Sequence, residues 1–281
     1  MTGRPTADHR TRGRTGRPVG EVTRGTTARG RLRRVDAWIA TTLDHRLRSA
    51  ADPLVVDLGF GASPVTTVEL RTRLVAAAGR RVRLIGLEID PVRVAAAAPA
   101  ADPPLLEFRR GGFELAGLHP VVVRAMNVLR QYPESAVPRA WAAMTAAMAP
   151  DGVLVEGTCD EAGRLAAWVT VDRSGPRTLT LAADPGALDL PSALAQRLPK
   201  ALIHHNVPGQ PIHNLLSTLD DNWRVAAPYA PYGPRQRWWH AVAALRAAGW
   251  PVVGGPTRWR AGELTVRWSA VSPRPNLGST P

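Results

Sequence analysis

Short runs rich in apolar residues recur through the middle of the chain, most of them with apolar side chains at nearly every position. Parallel strands that are covered on both faces of a sheet show this pattern, whereas amphipathic helices need longer, periodic segments. We therefore predict five strands, at residues 54–58, 83–88, 105–109, 121–125 and 153–156.

Segments of helical length separate these runs, at residues 64–78, 91–98 and 138–148. Alternation of strand and helix predicts an α/β fold with a doubly wound, mostly parallel sheet. Before the first strand, Val35, Trp38, Ile39 and Leu43 recur at helical spacing. They predict one more helix at residues 32–47.

After the fifth strand the pattern changes, and residues 163–250 form an insert. We predict a hairpin of strands 168–171 and 178–181, then helices near 212–222 and 235–248. Seven of the nine tryptophans lie beyond Gly163, where they either stack on a flat substrate or pack the insert onto the sheet. A short strand at 252–253 precedes a predicted antiparallel pair, 257–260 and 263–268, which would give the sheet a reversed last strand.

The composition divides the chain into three parts. Residues 1–31 contain almost no aliphatic side chains and are predicted to be a disordered basic arm. Residues 32–271 are predicted to form one domain, with the 163–250 insert on its substrate side. Residues 272–281 are expected to be a frayed tail.

The net charge of +13 is concentrated at the N-terminus, where residues 1–34 hold ten arginines and two acids. The arm is either an RNA-binding or phosphate-binding element or a solvated tail. Because 35 of the 36 basic residues are arginine, the charge reflects a compositional bias and is weak support for a nucleic-acid partner.

Several classes of protein are excluded by composition. Cys159 is the single cysteine, so neither a disulfide framework nor a zinc ribbon is possible, and we predict no metal site. No apolar run is long enough to span a bilayer, and the N-terminus lacks the apolar core of a signal peptide. We therefore expect a cytoplasmic protein with no membrane partner.

The strongest candidate site follows the first strand, in Asp57-Leu58-Gly59-Phe60-Gly61. A buried strand ends beside an acid, and the two glycines permit a sharp turn and the close approach of a ligand. Ser63 and Pro64 suit the start of a helix. Proline stands where a dinucleotide-binding turn has its third glycine, which argues against NAD and FAD. The alternative is a tight turn that binds nothing.

A second acid, Glu88, ends the second strand. The carboxyl ends of neighbouring parallel strands meet at one edge, so Glu88 and the glycine turn can face one nucleoside. A carboxylate there can accept hydrogen bonds from both ribose hydroxyls. Alternatively, Glu88 caps the following helix or pairs with an arginine.

On these motifs the chain resembles the class I S-adenosylmethionine-dependent methyltransferases, of the type found in high-GC actinobacteria. The segments at 87–90, 111–114, 126–129 and 149–155 are similar, in order, to later motifs of that family. The resemblance implies a Rossmann-like methyltransferase fold with S-adenosyl-L-methionine as cofactor. It implies a cofactor site made of Asp57, Gly59, Phe60, Gly61, Glu88, Ile89, Gly112, Phe113 and Asn127.

The resemblance also implies that the acceptor meets the donor at the carboxyl ends of strands four and five. It nominates Asn127 and Tyr132 as catalytic residues, with Asp160 and Glu161 nearby, and His204 or His205 from the insert as a base. Each has a plainer role open to it, in turn packing, capping or an exposed loop. Strand four is followed by Asn127-Val128-Leu129-Arg130 and not by an Asn/Asp-Pro-Pro-Tyr/Phe tetrapeptide, so methylation of nucleobase amino groups is not supported.

The sequence therefore predicts an enzyme that transfers a methyl group to an acceptor that is either RNA or a small molecule. Two alternatives stay open. One is a nucleoside-binding protein without turnover, and the other is a nucleotide-dependent oxidoreductase, which Pro64 disfavours.

Overall fold

The computed structural model describes residues 18–23, 27–78 and 82–274. The expectations for residues 1–17 and 24–26 of the arm, and for residues 275–281 of the tail, lie outside these ranges. Residues 18–23 and 27–31 differ from the expected disorder. They lie against the domain and are held through backbone hydrogen bonds, which composition does not reveal.

A single sheet of nine strands organises the part of the chain that the structure describes, in the order β3-β2-β1-β4-β5-β6-β7-β9-β8. The strands are β1 (Leu54–Leu58), β2 (Arg83–Glu88), β3 (Leu106–Arg110), β4 (Val122–Met126), β5 (Val153–Cys159), β6 (Leu165–Asp172), β7 (Gly175–Ala183), β8 (Val252–Val253) and β9 (Glu263–Arg267).

Strands β1 to β5 are parallel, and all five were predicted to within a few residues at their ends. The order reverses at β1, because β2 and β3 extend from one side of it and β4 and β5 from the other. In open α/β sheets, ligands bind beside the carboxyl ends of strands at such a switch point.

Helices cover both faces of the sheet. They are α1 (Arg33–Thr42), α2 (Asp44–Ser49), α3 (Val65–Ala78), α4 (Pro91–Ala97), α5 (Val137–Ala147), α6 (Lys200–Ile203), α7 (Pro211–Val225), α8 (Pro234–Ala247) and α9 (Pro256–Arg260). Adjacent residues of β1 show the two layers, because Val55 packs in the cluster containing α1 to α3 and Val56 in the cluster containing α5, α7 and α8. The predicted doubly wound α/β fold is confirmed.

The insert after β5 extends the same sheet. Its hairpin, β6 and β7, was predicted, and β6 pairs antiparallel with β5 across a tight turn. The Asp160 side chain shapes this turn by accepting hydrogen bonds from the backbone N–H groups of Arg164 and Leu165, at 2.7 and 3.1 Å. Trp168, Trp223 and Trp238 are buried in the core, so these insert tryptophans pack the fold.

Two local predictions were wrong. The helix expected at residues 32–47 is interrupted at Leu43, which lies between α1 and α2 with φ −105° and ψ 7°. The strand expected at 257–260 is helix α9, which begins at Pro256 after Gly255 and buries Trp259. Strand β9 does run antiparallel, but its neighbours are β7 and β8.

None of the helices within the described ranges combines the length and the apolar character needed to cross a membrane.

Candidate functional site

Between β1 and α3 the chain makes a tight turn that only glycine permits, and we call residues 59–61 the glycine loop. Gly59 and Gly61 have φ values of +72° and +82°. A Cβ atom on Gly59 would lie 2.7 Å from Cγ2 of Val128, and one on Gly61 would lie 2.8 Å from Oγ1 of Thr27. The loop therefore presents bare backbone toward the switch point.

Glu88 lies beside this loop at the end of β2, with 2% of its surface exposed. Its carboxylate accepts hydrogen bonds from the backbone N–H groups of Gly61 (3.0 Å) and Ile89 (2.9 Å), and Nη1 of Arg93 lies 3.5 Å away. Asp90 is the residue that caps α4, by accepting from the N–H of Val92. Glu88 thus meets the glycine loop as predicted and also has the arginine neighbour that was the alternative.

The corner after β3 brings Gly112 and Phe113 to the same edge. The Glu114 side chain accepts from the N–H of Gly112 at 2.8 Å, and Phe113 packs against Tyr132 with ring centroids 5.4 Å apart. A Cβ on Gly112 would lie 2.1 Å from the carbonyl oxygen of Val19. The Val19 backbone packs closely on Gly112, so only a group as thin as a backbone or a flat ring could take its place.

Asn127 follows β4 and holds a left-handed backbone conformation, φ +62°, which is uncommon outside glycine. Its side-chain amide donates to Sγ of Cys159 at 3.2 Å and accepts from the N–H of Cys159 at 3.0 Å. The residue is therefore fixed between β4 and β5. Strain of this kind persists where surrounding contacts enforce it, often at functional sites.

Asp57 lies beneath the glycine loop in a buried polar network. Both of its carboxylate oxygens pair with Arg124, at 2.9 and 2.6 Å, and the hydroxyl of Thr67 donates to it at 2.6 Å. Phe60 is also buried, and its ring packs edge-on against Phe108. Asp57 thus fixes the end of β1, and Phe60 anchors the glycine loop to β3. Both residues also border the inner pocket described next.

Three cavities meet at this edge of the sheet. The inner pocket, about 70 Å³, lies over the glycine loop and is bordered by Asp57, Phe60, Met126 and Asn127. A narrow gap of about 10 Å³ lies beside Glu88, Ile89, Gly112 and Phe113. The outer cavity, about 1010 Å³, is bordered by Asn127, Tyr132 and Cys159. Asn127 is therefore shared by the inner pocket and the outer cavity.

The structure brings together every residue of the predicted cofactor site, together with Tyr132, but not His204. His204 is exposed and borders none of these three cavities. His205 is held by Glu134, with Nε2 and Oε1 2.5 Å apart. Asp160 and Glu161 border the outer cavity, although the Asp160 carboxylate also shapes the β5–β6 turn. The described residues contain no group of three or more His, Cys, Asp or Glu that could hold a metal.

Residues 18–23 and 27–31 contribute to the site, which the sequence did not predict. We call residues 18–23 and 27–31 the arm segment. The Val19 carbonyl accepts from the N–H of Phe113 at 2.9 Å, and its N–H donates to Glu114 at 2.7 Å. Further along, Arg93 donates to the carbonyl of Thr23 at 2.9 Å, and Thr27 and Arg31 border the inner pocket. The only sequence signal was the arginine-free run of residues 18–23 within the basic arm.

The outer cavity also has two arginines that the sequence did not mark. Arg130 follows β4 in the 3₁₀ turn Leu129–Gln131, and Arg197 ends the 3₁₀ helix Pro191–Arg197 of the insert. They are 67 residues apart in the chain and meet only through folding.

No protein-family model and no curated protein match this chain. Solved structures similar to it include an S-adenosylmethionine-dependent methyltransferase from Mesorhizobium loti, with 17% identity over 42% of this chain and 52% of that one, at a TM-score of 0.30. The CcbJ methyltransferase of Streptomyces caelestis is 18% identical over 57% of this chain and 73% of that one, with a TM-score of 0.34. LepI in complex with SAH and a substrate analogue is 20% identical over 41% of this chain and 30% of that one, with a TM-score of 0.34. This chain therefore spans under a third of the length of LepI. These likenesses are too distant to bear on function.

Proposed function

We propose that this protein is an S-adenosylmethionine-dependent methyltransferase whose acceptor enters the outer cavity. The observation that carries the proposal is the position of Asn127. This strained, fixed residue borders both the inner pocket over the glycine loop and the outer cavity. A donor held on one side and an acceptor held on the other would meet beside it.

The residues at the switch point suit the proposed cofactor. The bare backbone of Gly59 and Gly61 accommodates its amino-acid portion, and the buried carboxylate of Glu88 can accept from its ribose hydroxyls. The Phe113 N–H and the Glu114 carboxylate offer a donor and an acceptor to an adenine edge, in the place where they now contact Val19. Ile89 and Phe113 would lie on either side of the base.

When bound, S-adenosylmethionine supplies an activated methyl group on a sulfonium, so the protein needs no covalent intermediate. Its own residues must align the acceptor and exclude water. Asn127 acts as a positioning residue, because both polar atoms of its side chain are held by Cys159. Burial raises the pKa of Tyr132, and its phenol donates to the carbonyl of Glu21 at 3.3 Å. Once the arm segment has shifted, this hydroxyl could donate to an acceptor instead.

The arm segment must shift for a ligand of this size to enter. Only about 70 Å³ and about 10 Å³ of space are open beneath it. Pockets for small molecules and cofactors are typically ~300–1,000 Å³. Because the segment is held mostly by backbone hydrogen bonds at the surface, its displacement requires no change in the core.

Calorimetric titration of the full chain with S-adenosylmethionine, S-adenosylhomocysteine and NAD in parallel tests the cofactor assignment. We expect both adenosyl ligands to bind and NAD not to bind. Binding of NAD alone would favour the oxidoreductase alternative, and absence of binding by all three would contradict the proposal. Methyl transfer to any acceptor would exclude a binding protein without turnover.

Replacing Glu88 with alanine is expected to weaken binding of S-adenosylmethionine by about 10- to 150-fold, since a hydrogen bond to a charged group contributes ~1.5–3 kcal/mol. Glu107→Ala is the matched control, because Glu107 lies on neighbouring β3 in a surface pair with Arg109. Equal affinities of the two variants, measured by calorimetry, would show that Glu88 does not hold the ligand.

A valine at Gly59 is expected to weaken binding by at least ~30-fold. Its side chain would meet Val128, and φ at this position is +72°. Gly255→Val is the control, because Gly255 has φ −137° and no described atom would come within 4 Å of a Cβ at that position. Circular dichroism checks that both variants fold, and normal binding by the Gly59 variant would refute the loop assignment.

A further inference from the structure

The outer cavity is bordered by three arginines from three distant parts of the chain. Arg31 comes from the arm segment, Arg130 from the turn after β4, and Arg197 from the insert. Cations repel one another, so their convergence on one concave surface is unfavourable unless something else stabilises it.

The backbone of Arg197 and the side chain of Arg130 are both anchored. The carbonyl of Arg197 accepts a hydrogen bond from the hydroxyl of Thr158 on β5, and Nη1 of Arg130 donates to the carbonyl of Gln196 at 3.3 Å. Within the described ranges, the buried Nε of Arg197 has no hydrogen-bond partner. At least one N–H donor of the cluster is therefore held in place without an acceptor.

The electrostatics around Arg130 also favour a bound anion. Partial burial lowers its pKa, and the neighbouring charges of Arg197 and Arg31 lower it further, with no carboxylate among the described groups that act on it. The cavity does contain acids, namely Glu21, Asp160 and Glu161. Asp160 already accepts two backbone hydrogen bonds in the β5–β6 turn, and none of the three acids is among the described groups that act on Arg130.

From this cluster we infer that the outer cavity binds a small molecule carrying a carboxylate or phosphate group, which Arg130 and Arg197 hold with Arg31 beside them. Guanidinium groups pair with these oxyanions through two parallel hydrogen bonds, which orients the bound molecule. The anion would offset the repulsion that Arg197 and Arg31 exert on Arg130.

A small molecule fits this surface better than a nucleic-acid strand does. The cavity, about 1010 Å³, is of the size that encloses a metabolite, whereas a strand needs a continuous basic groove along its phosphates. Asn127 and Tyr132 border the same cavity, so a molecule anchored by its anionic group can extend its other end toward the inner pocket. That the bound molecule is the methyl acceptor rests on the proposed function, whereas the anion site itself does not.

The test is calorimetric titration of the full chain with inorganic phosphate, with succinate and with a single-stranded RNA oligonucleotide, each with and without S-adenosylhomocysteine. The variants are Arg130→Met and Arg197→Met. The control is Arg164→Met, which removes the same charge from an exposed side chain that does not border the cavity.

We expect saturable binding of phosphate or succinate, and which of the two binds identifies the oxyanion. Each cavity variant should weaken that binding by about tenfold or more, and Arg164→Met should leave it unchanged. All three variants should bind S-adenosylhomocysteine as the unchanged chain does.

Three results would overturn the inference. The first is that neither small anion binds to a chain that does bind S-adenosylhomocysteine. The second is equal weakening by all three variants, which would indicate nonspecific charge. The third is binding of the RNA alone. Failure to bind S-adenosylhomocysteine would instead overturn the proposed function, and the titrations without it would still decide whether the anion site exists.

Discussion

Replacing Arg124 with methionine is expected to lower the free energy of unfolding by about 3–5 kcal/mol, because it leaves two carboxylates buried without a cation. Arg124 is fully buried on β4, and its guanidinium joins Asp57 at 2.6 Å to Asp36 on α1 at 2.5 Å. Burial raises the pKa of Asp36 to about 6 despite the opposing effect of Arg124. Without the arginine, the main group that opposes the effect of burial on the Asp36 carboxyl would be lost.

The measurement is urea unfolding followed by tryptophan fluorescence. Arg109→Met is the control, since Arg109 pairs with Glu107 at the surface and its loss should change stability by at most about 1 kcal/mol. The network connects α1, which directly follows the arm segment, to the strands below the glycine loop. Equal unfolding midpoints for the two variants would show that the buried network contributes no more than a surface pair.

Replacing Glu156 with glutamine is expected to remove a pH dependence of stability of about 3 kcal/mol between pH 5 and 8. Glu156 is fully buried on β5, and no cation of the described ranges pairs with it. Its carboxylate accepts a hydrogen bond from Nε1 of Trp141 at 3.3 Å. Burial raises its pKa from 4.5 to about 8, although the Trp141 hydrogen bond opposes the shift.

The sign of this effect follows from proton binding. The folded state holds the Glu156 proton more tightly than the unfolded state does, so its contribution to stability is complete below pH 4.5 and is lost as the pH rises through about 8. Glutamine keeps the shape and the contact with Trp141 but does not titrate. Unfolding midpoints of both proteins at pH 5, 7 and 8 provide the comparison, and parallel pH profiles would contradict the prediction.

The two predictions concern different parts of the core. The Arg124 network supports the switch point from below, whereas Glu156 lies one strand away in the core under α5. Neither residue borders the inner pocket or the outer cavity. Effects of these substitutions on ligand binding would therefore be indirect, which separates them from the variants of Gly59, Glu88 and Arg197.

Local patterns were enough to predict the parallel half of the sheet and the glycine loop. A strand buried on both faces must be apolar at nearly every position, so β1, β2, β4 and β5 are visible in the sequence itself. The edge strand β3 is only partly buried and shows this pattern less clearly. The loop is visible because the backbone conformations at Gly59 and Gly61 admit little else. Strands β8 and β9 were also recognised, but not their partners, because pairing in an antiparallel sheet joins residues far apart in the chain.

The rest of the site depended on contacts that no local pattern records. His204 has the chemistry of a base, yet the fold leaves it exposed and away from the cavities. Arg130 and Arg197 are two of 35 arginines and become distinctive only where the chain brings them together. The arm segment is polar and poor in large apolar side chains, so its composition indicated disorder. Its ordering comes from backbone hydrogen bonds to Phe113, Glu114 and Tyr132, which exist only once the domain has folded.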